Sequence, residues 1–284
     1  MHAVEFLESA YQTLIEYDLR RSFYLAGQRY AIKTYSGKKE NLRGYDLEAC
    51  ALVPLFLQLK VSDFYPTFST SSLQSGRIAA GIVDNPGCYA FSLHPDKKTA
   101  TYKQHNLLAA LHSGGSYSRY IAPLFHTEAD LEHFKYNFRN PHWGPSASGL
   151  FDDDWFYWRD YVSFNHSISI APHKVVNDPT TVSHHYTYSN SKYVCFHSDV
   201  EQVDDGESFI ASVHQALFRS RSHEPLSLAG INRSIVEALK SIDQISDSAL
   251  ISEREGSQLT LHRRLVRHIK REFNIDCVLV SSVR

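Results

Sequence analysis

The run Leu55-Phe56-Leu57-Gln58-Leu59-Lys60-Val61 restricts the fold more than any other segment. A near-continuous apolar strand of this kind belongs in the middle of a sheet covered on both faces. Residues two apart on a strand share a face, so Gln58 and Lys60 point the same way. Lysine is rarely buried without a partner, which marks this pair as a candidate site. Just upstream, Tyr45–Ala51 reads as a second strand, separated from the first by Leu52-Val53-Pro54. Asp46 and Glu48 share one of its faces. If the two strands are antiparallel neighbours, Asp46 meets Gln58 and Lys60. A carboxylate, an amide oxygen and an ammonium then converge on one side of the sheet.

The flanking elements supply the frame. Residues 3–20 are amphipathic at 100° per residue, with Leu7, Ala10, Tyr11 and Leu14 on one side and Glu5, Gln12 and Glu16 on the other. Glu8 lies at the border of the two faces, where it can reach the site. Strands are expected at Arg29–Tyr35, Cys88–Leu93 and Tyr117–Phe125, and helices at Tyr102–His112 and from Thr127 to Phe138. The stretch TFSTSSLQSG reads as a loop or short helix. Asn140–Asp154, rich in Pro, Gly, Ser and Asp, reads as a linker. Beyond it come short strands at Tyr161–Ile170, His185–Tyr188 and Tyr193–His197. Helices follow at Glu207–Arg219, Ala229–Ile242 and Gln258–Phe273, then a strand at Cys277–Ser281. The fold class is α/β, with an N-terminal unit over 1–140 and a mixed α+β unit over 141–284.

Composition removes several function classes. The net charge of -2 advertises no global affinity for nucleic acid, so any such binding uses a local patch. One patch stands out in QLTLHRRLVRHIKREF. Leu261, Leu265, Ile269 and Phe273 occupy one side, and Arg263, Arg264, Arg267, Lys270 and Arg271 crowd the opposite arc. The four cysteines have no CxxC spacing, which argues against a cysteine zinc site or a disulfide framework. There is no basic start leading into an apolar run, and no apolar run near ~18 residues, so a cytoplasmic protein without a membrane span is expected. The 16 histidines include no HExxH or HxH motif and read as scattered core or surface residues. Asp152-Asp153-Asp154 runs into Trp155, Phe156 and Trp158, an acidic loop leading into a packing segment. No GxxxxGK[ST], GxGxxG or GxSxG motif is present.

The remaining chemistry suits phosphodiester hydrolysis. A hard divalent cation takes oxygen ligands such as Asp46 and Glu8. It polarises a phosphate and lowers the pKa of a bound water, which a lysine can orient.

These residues resemble the PD-(D/E)xK nuclease superfamily, in particular its Mrr-type restriction endonuclease and anti-phage branches. Glu8-x-x-Tyr11-x-x-Leu14-Ile15 is similar to the branch's leading helix, and Gly44-Tyr45-Asp46 with Gln58-Leu59-Lys60 to its G-x-D and Q-x-K pair. YIAPLFHTEADLEHF resembles its closing strand and helix. The order helix, three strands, helix, strand covers roughly the first half of the chain. Gln58 stands where many members carry Asp or Glu. The resemblance implies Mg²⁺ or Mn²⁺ held by Asp46 with Glu8, a Gln58 amide oxygen, and Lys60 positioning the attacking water. Lys103 and Gln104, opening the next helix, would support the metal or phosphate. The implied partners are DNA and a controlling protein such as an ATPase or sensor subunit, and homo-oligomerisation stays open. Two rival readings are a catalytically silent assembly subunit and a metallohydrolase built on the C-terminal histidines.

Overall fold

The computed structural model describes residues 1–25, 30–34, 52–95, 101–136, 166–176, 184–190, 193–197, 200–203, 206–221, 226–242 and 257–282. In chain order these form α1 (Glu8–Leu25), β1 (Tyr30–Thr34), β2 (Leu52–Leu59), β3 (Asp63–Pro66), α2 (Ser72–Ala79), β4 (Gly87–Ser92) and α3 (Lys103–Ser113). Next come β5 (Tyr117–Pro123), α4 (Glu128–Tyr136), β6 (Ser167–Ile170), β7 (His185–Tyr188), β8 (Val194–His197), β9 (Val200–Val203) and β10 (Glu207–Ser208). The last are α5 (Phe209–Arg221), α6 (Leu228–Ser241), α7 (Gln258–Phe273) and β11 (Asp276–Ser282). The class is α/β, with an N-terminal helix followed by strands and a mixed C-terminal region.

Two sheets carry the chain, one ordered β1-β11-β2-β5-β6-β10 and the other β3-β4-β7-β8-β9. In the first, only the β2–β5 pair is parallel. The expected division near residue 140 does not separate the sheets: β6 lies on β5, β7 on β4, and β11 enters between β1 and β2. The strand expected beside Gln58, Tyr45–Ala51, lies outside the described residues. Among the described residues β2 pairs with β5 in parallel over Leu55–Leu59 and with β11 antiparallel over Leu52–Leu57. Strand β11 can sit beside β2 because apolar Cys277–Val280 is fit to be buried, and it is.

Strand β2 is covered on both sides, as its apolar run requires. Leu52 and Phe56 enter a core shared with Tyr89, Phe91, Tyr120 and Tyr186 and with α3, α6 and α7. Leu55, Leu57 and Leu59 face the opposite way, into Tyr11, Leu14, Ile15 and Leu19 of α1 and Phe209 and Val213 of α5. This is the period-two alternation of a strand serving two cores. Gln58 and Lys60 therefore belong to the face of Phe56.

Helix α1 begins at Glu8, five residues later than the periodicity suggested. Residues 2–4 are instead drawn onto β3, through His2 N–H to Phe64 O at 2.7 Å, Phe64 N–H to His2 O at 2.9 Å and Val4 N–H to Asp63 Oδ1 at 3.1 Å. Leu7 precedes the first turn and is 75% exposed, outside the apolar side where it was expected. Strand β3 was not foreseen, because Asp-Phe-Tyr-Pro carries no alternation. The Ser/Thr-rich segment forms α2, capped by Ser71.

Helix α2 closes the outer face of the second sheet through a buried ion pair. Arg77, fully buried, donates to both Asp84 oxygens (Nη2–Oδ1 2.9 Å) and to Thr187 O and Tyr193 O at 3.0 Å each. Removing one member of such a pair strands a charge in the interior. Asp84→Ala is expected to cost about 3–5 kcal/mol, read as a lower urea midpoint. An unchanged midpoint would mean that the guanidinium finds water instead. Among the described residues no helix is long and apolar enough to cross a membrane.

Candidate functional site

The end of β2 places two polar side chains where the sheet expects apolar ones. Gln58 is 1% exposed, and neither its Oε1 nor its Nε2 has a hydrogen-bond partner. A buried amide left in this state costs about 1–3 kcal/mol, so the fold retains it against its own stability. Lys60 follows, 7% exposed, its main-chain N–H donating to Ile121 O at 2.9 Å. Burial lowers its ammonium from 10.5 to about 8, and the carboxylate of Glu8 opposes that fall. Among the described residues no carboxylate comes close enough to form an ion pair with Lys60; Glu8 acts on it through its field.

Glu8 opens α1, and its Oε1 accepts a hydrogen bond from Asn274 Nδ2 at 3.0 Å. Asn274 caps α7 in the left-handed conformation (φ 50°), which asparagine tolerates better than most residues. Gln104 donates through Nε2 to the main-chain oxygen of Phe273, at the same end of α7. That bond satisfies a helix-terminal carbonyl and engages the donor that was expected to face a phosphate. The starts of α1 and α3 thus meet the end of α7. Lys103, beside Gln104, is half-buried.

His94 completes the mouth of this corner. His94 follows β4 and lies close enough to Lys60 and Glu8 for both charges to act on its imidazole. His94 is exposed, and its imidazole is held below its ordinary value by burial first, then by Lys60 and His185, against Glu8. Sequence reading missed both His94 and Asn274. Asn274 reaches the corner by a hydrogen bond and His94 by electrostatic influence, each with a partner more than thirty residues away, which no local pattern records.

Asp46 and Glu48 lie outside the described residues, as does the Asn140–Asp154 stretch. Of the expected set, the structure places Glu8 within electrostatic reach of Lys60; Gln58 lies two residues earlier, and among the described residues no hydrogen bond links it to either. On α7, Arg264, Arg267 and Arg271 are exposed, Arg263 and Lys270 half-buried, and the opposite face of His262, Leu265, Val266, Ile269 and Phe273 is buried. Lys270 bonds Asp276 Oδ2 at 2.8 Å, and Arg271 bonds Glu272 Oε1 at 2.6 Å.

The histidines divide among separate partners: His166 with Asp18 at 2.8 Å, His173 with Glu201 at 3.1 Å and His197 with Thr187 at 2.7 Å. Among the described residues no three His, Cys, Asp or Glu side chains gather as a metal cage. Oxygens of the type that a hard cation takes are present near the β2 end. Gln58 Oε1 is buried without a protein partner, and Glu8 supplies a carboxylate. No family model, curated protein or solved structure matches this chain.

Proposed function

We propose that the chain is a metal-dependent nuclease that hydrolyses DNA phosphodiester bonds at the Glu8–Gln58–Lys60 corner. The observation that carries the reading is the pair on β2: a buried, unpartnered amide beside a buried lysine on one strand face. Glu8 and Gln58 would hold Mg²⁺ or Mn²⁺ together with Asp46, the further carboxylate that the resemblance implies. Such an ion supplies a Lewis acid for the phosphate and an acidified water.

The protein's own groups have separate tasks. Lys60, depleted of solvent, orients the attacking water and offsets charge that develops on the phosphate; in a dry site that electrostatic help is stronger than in water. Asn274 fixes one oxygen of Glu8, leaving the other to face the site. We further propose a cytoplasmic setting as the effector of a bacterial anti-phage or restriction-like system, under the control of a partner protein.

Wild type and Lys60→Ala incubated with plasmid and Mn²⁺, alone and with the protein encoded beside the gene, test the reading. Cleavage by wild type and a loss of at least about a hundredfold in Lys60→Ala is the expected result, the scale of one positioned proton-transfer group. Equal cleavage by both proteins would place the chemistry elsewhere. Glu8 is the single carboxylate among the described residues that acts on Lys60, and this favours a second reading, a silent nuclease-fold subunit. Absence of cleavage even with the partner would select it.

A further inference from the structure

We propose that the solvent face of α7 is a track that leads a polynucleotide backbone to the Glu8–Gln58–Lys60 corner, gripping it about four nucleotides to one side of the bond that is cut. The end point of the track rests on the nuclease reading above; its path rests on α7 alone.

Helix α7 is anchored on one side and charged on the other. His262, Leu265, Val266, Ile269 and Phe273 are buried, so the helix cannot roll. Arg264 and Arg267, three apart, stand on its exposed face, and Arg271 follows one turn later. Arg264 and Arg267 are in no ion pair among the described residues. Arg271 is 77% exposed, and its bond to the adjacent Glu272 is a surface contact of little worth that a phosphate can displace. Lys270 is different: it is tied to Asp276 at the start of β11 and belongs to the fold. With Lys270 tied and Arg263 half-buried, the five basic residues of the stripe reduce to three that can turn to a ligand. Guanidinium forks suit phosphate oxygens better than point charges do.

The track has a direction. Its last residue, Arg271, is followed after Glu272 by Phe273, bonded to Gln104, and by Asn274, bonded to Glu8. Ten residues separate Arg264 from Asn274, about 15 Å along a helix rising about 1.5 Å per residue. At about 3.4 Å per nucleotide, that is about four steps of a strand. With a net charge of -2, the rest of the molecule adds no general attraction that would blur this local field.

The test uses the full chain carrying Lys60→Ala, so that binding is read without cleavage. Labelled duplex and single-stranded DNA of about 20 nucleotides are titrated between about 50 and 200 mM KCl. Arg264→Ala with Arg267→Ala should lower the slope of log affinity against log salt by about 1.8 on duplex or about 1.4 on single strand, two contacts in either case. The paired Arg→Lys variants should restore the slope, and neither pair should move the urea midpoint, since both positions face solvent. Substrates trimmed to fewer than about four nucleotides on one side should lose the arginine-dependent part of their binding. An unmoved slope in the Ala pair overturns the track, even if wild type cleaves plasmid. A lowered slope with no cleavage by wild type keeps the track and overturns the nuclease reading instead. Binding of polyglutamate but not of either DNA through the same arginines overturns the proposal and gives this face to an acidic protein.

Discussion

Gln58→Leu is expected to make the protein more stable and inactive at once. The amide is 1% exposed and neither of its polar atoms is bonded, so its burial costs about 1–3 kcal/mol that an apolar side chain of similar volume would recover. The expected observation is a urea midpoint above wild type with an unchanged slope, in a protein that no longer cleaves plasmid. Ordinary core substitutions go the other way, since most destabilise by about 1 kcal/mol. A residue that lowers stability where it stands is the signature of a site held for another purpose. A lower midpoint in Gln58→Leu would mean that the amide contributes to packing, and it would remove the main support for the site.

The second large effect is loss of the fold in mild acid. Burial holds His105, His197 and His262 at about 4, each below the ordinary 6.5. The hydrogen bonds agree with neutral rings. His105 donates Nε2–H to Lys174 O at 2.6 Å and accepts at Nδ1 from Tyr120 O–H at 2.8 Å. His262 donates Nδ1–H to Asn232 Oδ1 at 2.8 Å, because the amide nitrogen of Asn232 already donates to Gln258. With folded values depressed, the unfolded chain takes up protons first. The stability from these rings is complete above pH 6.5 and disappears as pH falls towards 4. For His105 and His262 together the loss is on the order of 6 kcal/mol, comparable to the whole stability of many domains at about 5–15 kcal/mol. Asp18, its carboxyl raised by burial beside His166, works in the opposite sense. Near-ultraviolet circular dichroism from pH 7 downward should collapse between 6.5 and 4. A signal that holds flat to pH 4 would contradict neutral burial of these rings.

How much of this was legible beforehand depends on how local the cause is. Helix α7 was expected at Gln258–Phe273 and lies there, because its apolar side, the Ser257 cap and the Asn274 terminator are all adjacent in sequence. The apolar character of β2 announced a strand buried on both faces, and the spacing of Gln58 and Lys60 announced a shared one. Strand partners were not legible. The pairing of β2 with β5 and β11 is made between residues more than sixty and two hundred positions apart. The same long-range closure brings Asn274 to Glu8 and Gln104 to Phe273. Pattern reading saw those four residues as members of separate elements, and it gave Gln104 a ligand where the fold gives it a helix end.

A hard cation bound at the end of β2 can be detected without any substrate. Thermal midpoints of wild type, Gln58→Leu and Gln58→Glu are measured as Mn²⁺ is added. A ligand that binds only the folded state raises the midpoint with concentration, and a second carboxylate in place of the amide oxygen strengthens the hold on a divalent ion. The account predicts the largest rise for Gln58→Glu, a smaller one for wild type and the least for Gln58→Leu. Equal rises in all three proteins, or none in any, would contradict it.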